Sequence, residues 1–235
     1  MTLGGVGQFS PRFDGSAELR PYGIPSIGFR RTGAPVEYSA KDDGLDLTLW
    51  SGPWGLRTGP VANYRPGRFS GGERRLSGLN DVPWSLEIGG FAEVWPVSER
   101  LRARVELRRG FHGTESQIGA LGADWVTKEG GFTLAGGPRL EFADRDFMQK
   151  QYGVTAAEAL RNGRVTPYAP RAGLRAAGAI ASLDYQWSQT WTTGVFTRYD
   201  RLIGQAGASP IVRALGSRDQ FTFGLSAAFS FDTGK

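Results

Sequence analysis

The sequence predicts an all-β chain, an antiparallel up-and-down transmembrane β-barrel of about twelve strands, with ten possible. Strand-length segments alternate apolar and polar residues, several of these segments carry charge on the polar parity, and the connections sort into short turns and long loops. Successive side chains of a strand leave on opposite faces. Residues 220–231 alternate most cleanly, with Phe221, Phe223, Leu225, Ala227, Phe229 and Phe231 on one parity and Thr222, Gly224, Ser226, Ala228 and Ser230 on the other. Residues 101–108 set Leu101, Ala103, Val105 and Leu107 against Arg102, Arg104, Glu106 and Arg108. If the charged face looks out to water, the apolar face needs a packed core. If it looks inward, the apolar face meets lipid.

Length and composition fit one barrel domain spanning residues 1–235. A β domain of 235 residues often stays undivided. The 35 glycines argue against a helical protein, because Gly weakens helix interiors. No apolar run is long enough for a spanning helix, but a barrel strand crosses with roughly 9–11 residues, half of which are free to be polar. The mean hydropathy of -0.32 therefore leaves a membrane open. Without cysteine there is neither a disulfide framework nor a thiolate metal site. No His/Asp/Glu cluster has metal spacing and no Gly-rich phosphate loop opens a helix, so no metal and no cofactor are expected. The net charge of +5 is spread along strands beside acids rather than gathered in a tail, and no nucleic-acid partner is expected. The amino terminus lacks a basic region followed by an apolar core, although residues 2–9 already read as strand. Either the protein is not exported or a signal peptide has been replaced by Met1, and replacement is the favoured expectation because the strand begins at once.

Taken in order, residues 2–9 form a first strand and residues 20–31 a second, edge-like through Pro21 and Pro25. A short strand at 35–40 leads into Lys41-Asp42-Asp43-Gly44, whose Asp-Gly pair reads as a hairpin turn. Strands at 45–50 and 56–65 follow, then a long Gly-, Arg- and Ser-rich loop at 66–82. Strands are expected at 84–95, 101–108, 117–126, 132–142, 177–187 and 191–201, before the closing strand. Residues 144–171 are a long loop, expected on the extracellular side. Within it Thr155-x-x-Glu158 has the form of a capping box, so 156–161 should be a short helix stopped by Asn162-Gly163. The turns at 96–100, 128–131 and 188–190 are short, while 66–82, 144–171 and 202–219 are long. That sorting is the outer-membrane pattern, with the short turns periplasmic. Trp84, Trp125, Trp187 and Trp191 sit near strand ends, as interfacial girdles do.

On the barrel reading Leu101, Ala103, Val105, Leu107, Phe221, Phe223, Leu225, Phe229 and Phe231 face lipid. Glu87, Glu93, Arg102, Arg104, Glu106, Arg108, Arg139 and Glu141 form a charge network in the lumen, to which Arg57 and Arg65 add positive charge. Such a network either fills and rigidifies a narrow lumen or, if net positive, selects anionic solutes. His112, Glu115 and Ser116 offer a base, an acid and a hydroxyl close in sequence, the one hint of a barrel lipid hydrolase. A loop run rarely converges as a triad must, so His112 is expected to be a solvated loop residue and the chain not an enzyme.

Several segments carry a family resemblance. Phe147-Met148-Gln149-Lys150-Gln151-Tyr152-Gly153-Val154-Thr155, Ser209-Pro210-Ile211-Val212 and Gly216-Ser217-Arg218-Asp219-Gln220-Phe221 resemble signatures of the MipA/OmpV family of outer-membrane proteins. So do Arg12-Phe13-Asp14-Gly15-Ser16 and the Gly-Leu-Asn-Asp run at residues 78–81, and the likeness runs in order along nearly the whole chain. The resemblance implies a barrel in the bacterial outer membrane, with outer-membrane lipid as its surroundings. The family is named partly for a scaffold that holds a lytic transglycosylase against a peptidoglycan synthase, and other members are described as porin-like, adhesive or linked to antibiotic susceptibility. The implied role is thus an envelope scaffold with those periplasmic partners, the alternative a porin-like channel. One departure is the tail at 232–235, since outer-membrane strands usually end the chain on an aromatic residue and here Phe231 is followed by Asp232-Thr233-Gly234-Lys235.

Overall fold

A computed structural model describes residues 2–28, 38–113 and 115–231. Twelve antiparallel strands form one curled sheet: β1 Thr2–Pro11, β2 Leu19–Gly28, β3 Leu45–Asp46, β4 Trp50–Ser51, β5 Arg57–Arg65, β6 Ser85–Val97, β7 Leu101–Phe111, β8 Gln117–Glu129, β9 Phe132–Ala143, β10 Gly173–Gln186, β11 Trp191–Leu202 and β12 Asp219–Ser230. Hydrogen bonding follows chain order from β5 to β12, which pairs with β1, and β2 and β3 end the ladder, with β4 also on β5. The closing strand is held on both sides, Phe223 lying opposite Phe9 of β1 and Thr197 of β11.

The two faces of the sheet are inverted relative to a water-soluble protein. Along β7 Leu107 is 70% exposed and Val105 38%, while Arg102 is 1% and Arg108 7% exposed. Phe221, Phe223 and Leu225 of β12 are likewise exposed, and Leu101, Ala103, Phe229 and Phe231 are half-buried. Apolar side chains thus lie on the convex face and charges on the concave one.

The expected strand at 45–50 is split. Leu45 pairs with Ala62, whereas Trp50 pairs with Thr58, so the register slips by one residue between them. Pro60 of β5 has no N–H to give at that point, although the Leu47 and Leu49 amides still donate to the Pro60 and Thr58 carbonyls at 3.2 and 3.0 Å. Of the strand expected at 35–40, residues 35–37 lie outside the described residues and 38–40 are not strand. Residues 29–31 of the second strand and the tail at 232–235 also lie outside them. Most of the remaining strands run one to three residues longer than their alternation indicates, while β5 is one residue shorter and β12 the same length, so ten of the twelve are long.

Short turns lie at one rim. At the other, the loops form a packed cap. The capping-box helix is present as α2 Ala156–Asn162, with Gly163 closing it at φ 70°. A helix not expected from the sequence, α1 Arg145–Tyr152, precedes it. Its N-cap Asp144 accepts the Phe147 amide at 2.9 Å, and it buries Phe147, Met148, Gln151 and Tyr152. No Glu stands three residues after Asp144, which is why the capping-box pattern misses it. A further short helix, α3 Gly204–Ala208, and a turn at Ile211–Leu215 complete the cap. One buried apolar cluster joins Phe147, Met148 and Tyr152 to Ile118, Leu202 and Val212. A second joins Phe13, Leu76 and Leu79 to Val154, Val165, Ile211 and Leu215. Loops far apart in sequence therefore share these two clusters at the barrel mouth.

Candidate functional site

The concave face is lined by the charges that strand parity points inward. On β6 and β7, Arg102 Nε donates to Glu93 at 3.0 Å and Arg104 Nη1 to the same carboxylate at 3.1 Å. Arg104 Nε reaches Glu106 at 2.8 Å, and Arg108 bonds both Glu106 and, at 3.1 Å, Glu87. These six expected residues form one continuous chain of ion pairs. Arg57 and Arg65 extend it, Arg57 to Glu93 and Arg65 to Glu87 at 2.5 Å. Arg139 and Glu141 are on the same face but bond elsewhere. Arg139 Nη2 donates to Asp124 at 2.8 Å, and Glu141 accepts from Arg175 and, at 2.7 Å, from Arg198.

The partners that complete the network include residues not expected there. The Lys41-Asp42-Asp43-Gly44 segment makes a turn, but inside the barrel rather than as a hairpin between strands. Asp43 accepts from Arg102 Nη2 at 2.6 Å and lies 3.7 Å from Arg104 Nε. Asp42 accepts from Arg139 at 2.8 Å and Arg198 at 3.0 Å, and Lys41 pairs with Asp184 at 2.6 Å. Three consecutive side chains thus anchor to β7, to β9 and β11, and to β10. The turn is preset locally, because the Asp43 carboxylate accepts the Ala40 amide at 2.9 Å and the Ser39 hydroxyl at 3.2 Å.

β2 descends to the short-turn rim, where Gly28 is paired with Thr2, and β3 starts part-way up the wall, where Leu45 pairs with Ala62. Both run toward the same rim, and residues 38–44, which lead into β3, lie along the lumen.

With Asp42, Asp43 and Asp46 added to Asp14, Asp124, Asp184 and Asp200, the acids of the concave face are, among the described residues, at least as numerous as its bases. The strand arginines are thus matched by carboxylates, as a network that fills the lumen requires. One cavity among these side chains, lined by Asp42, Asp43, Arg102, Arg139 and Arg198, has a volume of about 60 Å³, room for a water or two. On β12 the small inward parity leaves no gap either, since a Cβ on Gly224 would lie 2.1 Å from the Phe196 ring of β11.

Sequence signals existed for some of the missed residues. Asp124, Arg198 and Asp200 lie on the inward parity of their strands. Arg175 does not. The register of β10 shifts between Leu174 and Ala176, which buries Arg175 and Ala176 consecutively, and alternation cannot anticipate such a bulge. Nothing in alternation predicts the inward path of Asp42 and Asp43.

The hydrolase trio is arranged otherwise. His112, exposed at φ 61°, stacks on Trp84 with ring centroids 4.4 Å apart, Glu115 lies 4.0 Å from Arg109, and Ser116 is buried.

In the cap, Asp14 bridges Arg65 and Arg175, each at 2.9 Å, Gly15 N–H donates to Gln220 at 3.0 Å, and Ser209 Oγ donates to the Tyr152 carbonyl at 2.7 Å. Burial raises the Tyr152 hydroxyl above the usual phenol range, against the lowering effect of Arg175. Burial also works against the charge of Glu158, but hydrogen bonds from the Thr155 hydroxyl and from the Thr155 and Asn80 amides outweigh it and lower its carboxyl. The segments resembling family signatures, far apart in sequence, therefore interlock in this cap.

A curled antiparallel sheet with exposed apolar residues outside and paired charges inside defines the class, an up-and-down β-barrel of the transmembrane kind. A family model described as MltA-interacting protein MipA matches residues 3–231, and the chain belongs to that family. Two solved structures from Pseudomonas aeruginosa are similar. One is the N-terminal β-barrel domain of OprF, with TM-score 0.29 and 9% identity, covering 74% of this chain and 97% of that one. The other is a FadL homologue, with TM-score 0.31 and 10% identity, covering 98% and 89%. No curated protein gave a significant match.

Proposed function

We propose that the protein is an outer-membrane barrel that serves as a structural scaffold of the cell envelope rather than as an open solute channel. In this reading its convex residues, from Leu101 to Leu107 on β7 and from Phe221 to Phe231 on and just beyond β12, contact lipid. The cap, including residues 144–171, faces outward, and the short turns face the periplasm. The family name points to a lytic transglycosylase as periplasmic partner, with a peptidoglycan synthase as the second. The observation that carries the reading is the acidic turn on the concave face, which pairs with the wall arginines and leaves a cavity of about 60 Å³ among them. Transport of an anionic solute would need both the turn and the cap to leave, and catalysis would need His112 to leave Trp84.

The test has two arms. Purified protein in planar bilayers should give no ion steps, and a murein hydrolase should co-purify from native membranes. Sustained anion-selective steps would overturn the filled-lumen reading. A quiet bilayer with no murein enzyme recovered would overturn the scaffold assignment.

A further inference from the structure

The cap carries a basic surface that none of the contacts above neutralises. Arg74 and Arg75 lie in the short turn 74–76, and Arg161 and Arg164 flank the end of α2; all four are exposed. Asn162 Nδ2 stitches the two segments together, donating to the carbonyls of Arg75 at 2.9 Å and Ser77 at 2.7 Å. Arg161 donates to the Gly78 carbonyl at 3.1 Å and to Asn80 Oδ1 at 3.0 Å. A Cβ on Gly78 would lie 2.8 Å from the Arg161 carbonyl carbon, so the two backbones touch. Beyond Gly163, the Arg164 amide returns to Asn162 Oδ1 at 3.2 Å.

Two of the nearby acids are engaged elsewhere. Glu158 accepts the Asn80 amide at 2.8 Å and the Thr155 hydroxyl at 2.7 Å, and Asp81 accepts the Ser70 amide and hydroxyl at 2.6 and 2.7 Å. Glu73, half-buried, lies in the field of Glu18, Arg12 and Arg75. Among the described residues no carboxylate lies within ion-pair distance of Arg74, Arg75, Arg161 or Arg164. The lumen is the reverse case, where every arginine named above is paired. The stitch holds the two arginine-bearing segments side by side, and like charges on adjoining segments favour an anion between them. The planar fork of arginine matches the oxygens of a phosphate in particular.

We propose that this surface binds the phosphorylated sugar headgroup of a glycolipid in the leaflet around the cap. The proposal rests on the outward orientation of the cap given under the proposed function. The probe is the deacylated, phosphorylated core oligosaccharide of lipopolysaccharide, titrated onto purified protein in detergent beside its dephosphorylated form. The wild type should bind the phosphorylated form about tenfold more tightly, with an advantage that shrinks as salt is raised. The variant R74Q/R75Q/R164Q should lose that advantage while keeping the heat-dependent gel mobility of a folded barrel. Arg161 is left in place because it holds Gly78 and Asn80. Equal binding by wild type and variant, or no preference for phosphate in the wild type, overturns the site. Trypsin applied to intact cells tests the orientation separately. Cleavage after Arg161 or Arg164 supports it. Protection on cells, with fragment binding intact, overturns the assignment to the outer leaflet while leaving the phosphate site standing.

Discussion

Asp43 and Arg102, 59 positions apart in sequence, meet inside the barrel with Oδ2 and Nη2 2.6 Å apart. Arg102 is 1% exposed and also bonds Glu93 and Asp124, so the turn supplies the third carboxylate around a buried guanidinium. Removing one partner of a buried ion pair typically costs about 3–5 kcal/mol, because the other charge is left without compensation. Glu93 and Asp124 still hold Arg102, so Asp43→Asn should destabilise the barrel by less, roughly 2–4 kcal/mol. Urea unfolding in lipid vesicles measures this. The double variant Asp43→Asn with Arg102→Met should recover part of the loss, and an additive double variant would mean that the two side chains are not coupled.

Gly224 on β12 faces the ring of Phe196 on β11, where an added Cβ would lie 2.1 Å from a ring carbon. Overpacking a well-filled interior typically costs about 1–3 kcal/mol. Gly224→Ala should lower the unfolding midpoint by that order, and Phe196→Leu in the same chain should restore it. If Gly224→Ala alone is neutral, the lumen at that level has spare room, and the filled-lumen reading weakens there.

How much of this was legible in the sequence depends on the period of each element. Parity along β6, β7 and β9 puts Glu87, Glu93, Arg102, Arg104, Glu106, Arg108, Arg139 and Glu141 on one face, because two residues per repeat is a local property of an extended chain. The capping box at Thr155 is equally local. The path of residues 38–44 is not, since Asp42 and Asp43 are placed by Arg139, Arg198, Arg102 and Arg104 on strands much later in the chain. An Asp-Gly pair reads the same whether its turn ends a hairpin or fills a lumen. Arg175 was hidden by a bulge and α1 by a single-Asp cap, both of which break the patterns that make the rest readable.

Leu225, mid-way along β12, is 66% exposed on the convex face. In a water-soluble protein a charge placed there would change stability by no more than about 0.5 kcal/mol. Facing the bilayer midplane, Leu225→Arg should cost roughly 2–4 kcal/mol. Urea titration of the protein folded into vesicles distinguishes the two, and a neutral result would mean that this face does not meet lipid.

Glu158 links α2 to the loop before β6. Its carboxylate accepts the Asn80 and Thr155 amides, each at 2.8 Å, and the Thr155 hydroxyl at 2.7 Å. Burial disfavours its charge, yet these bonds to the ionised form win and its pKa lies below the ordinary carboxylate value. A group with a lowered folded pKa contributes stability that is fully present above its unfolded pKa and is lost as pH falls through the folded one. The cap should therefore keep constant protection near neutrality and loosen only below the ordinary glutamate pKa of about 4.3. Hydrogen exchange at the Ala159 and Gly163 amides, which donate to the Thr155 and Ala159 carbonyls at 3.0 and 2.9 Å, reports this once corrected for intrinsic rates. Glu158→Gln should remove the acid step and lower protection at neutral pH, because a neutral amide accepts the same bonds less strongly. Thr155→Ala removes the other half of the box and should cost about 1 kcal/mol of helix stability. An acid step that survives in Glu158→Gln would assign the titration to another group in the cap.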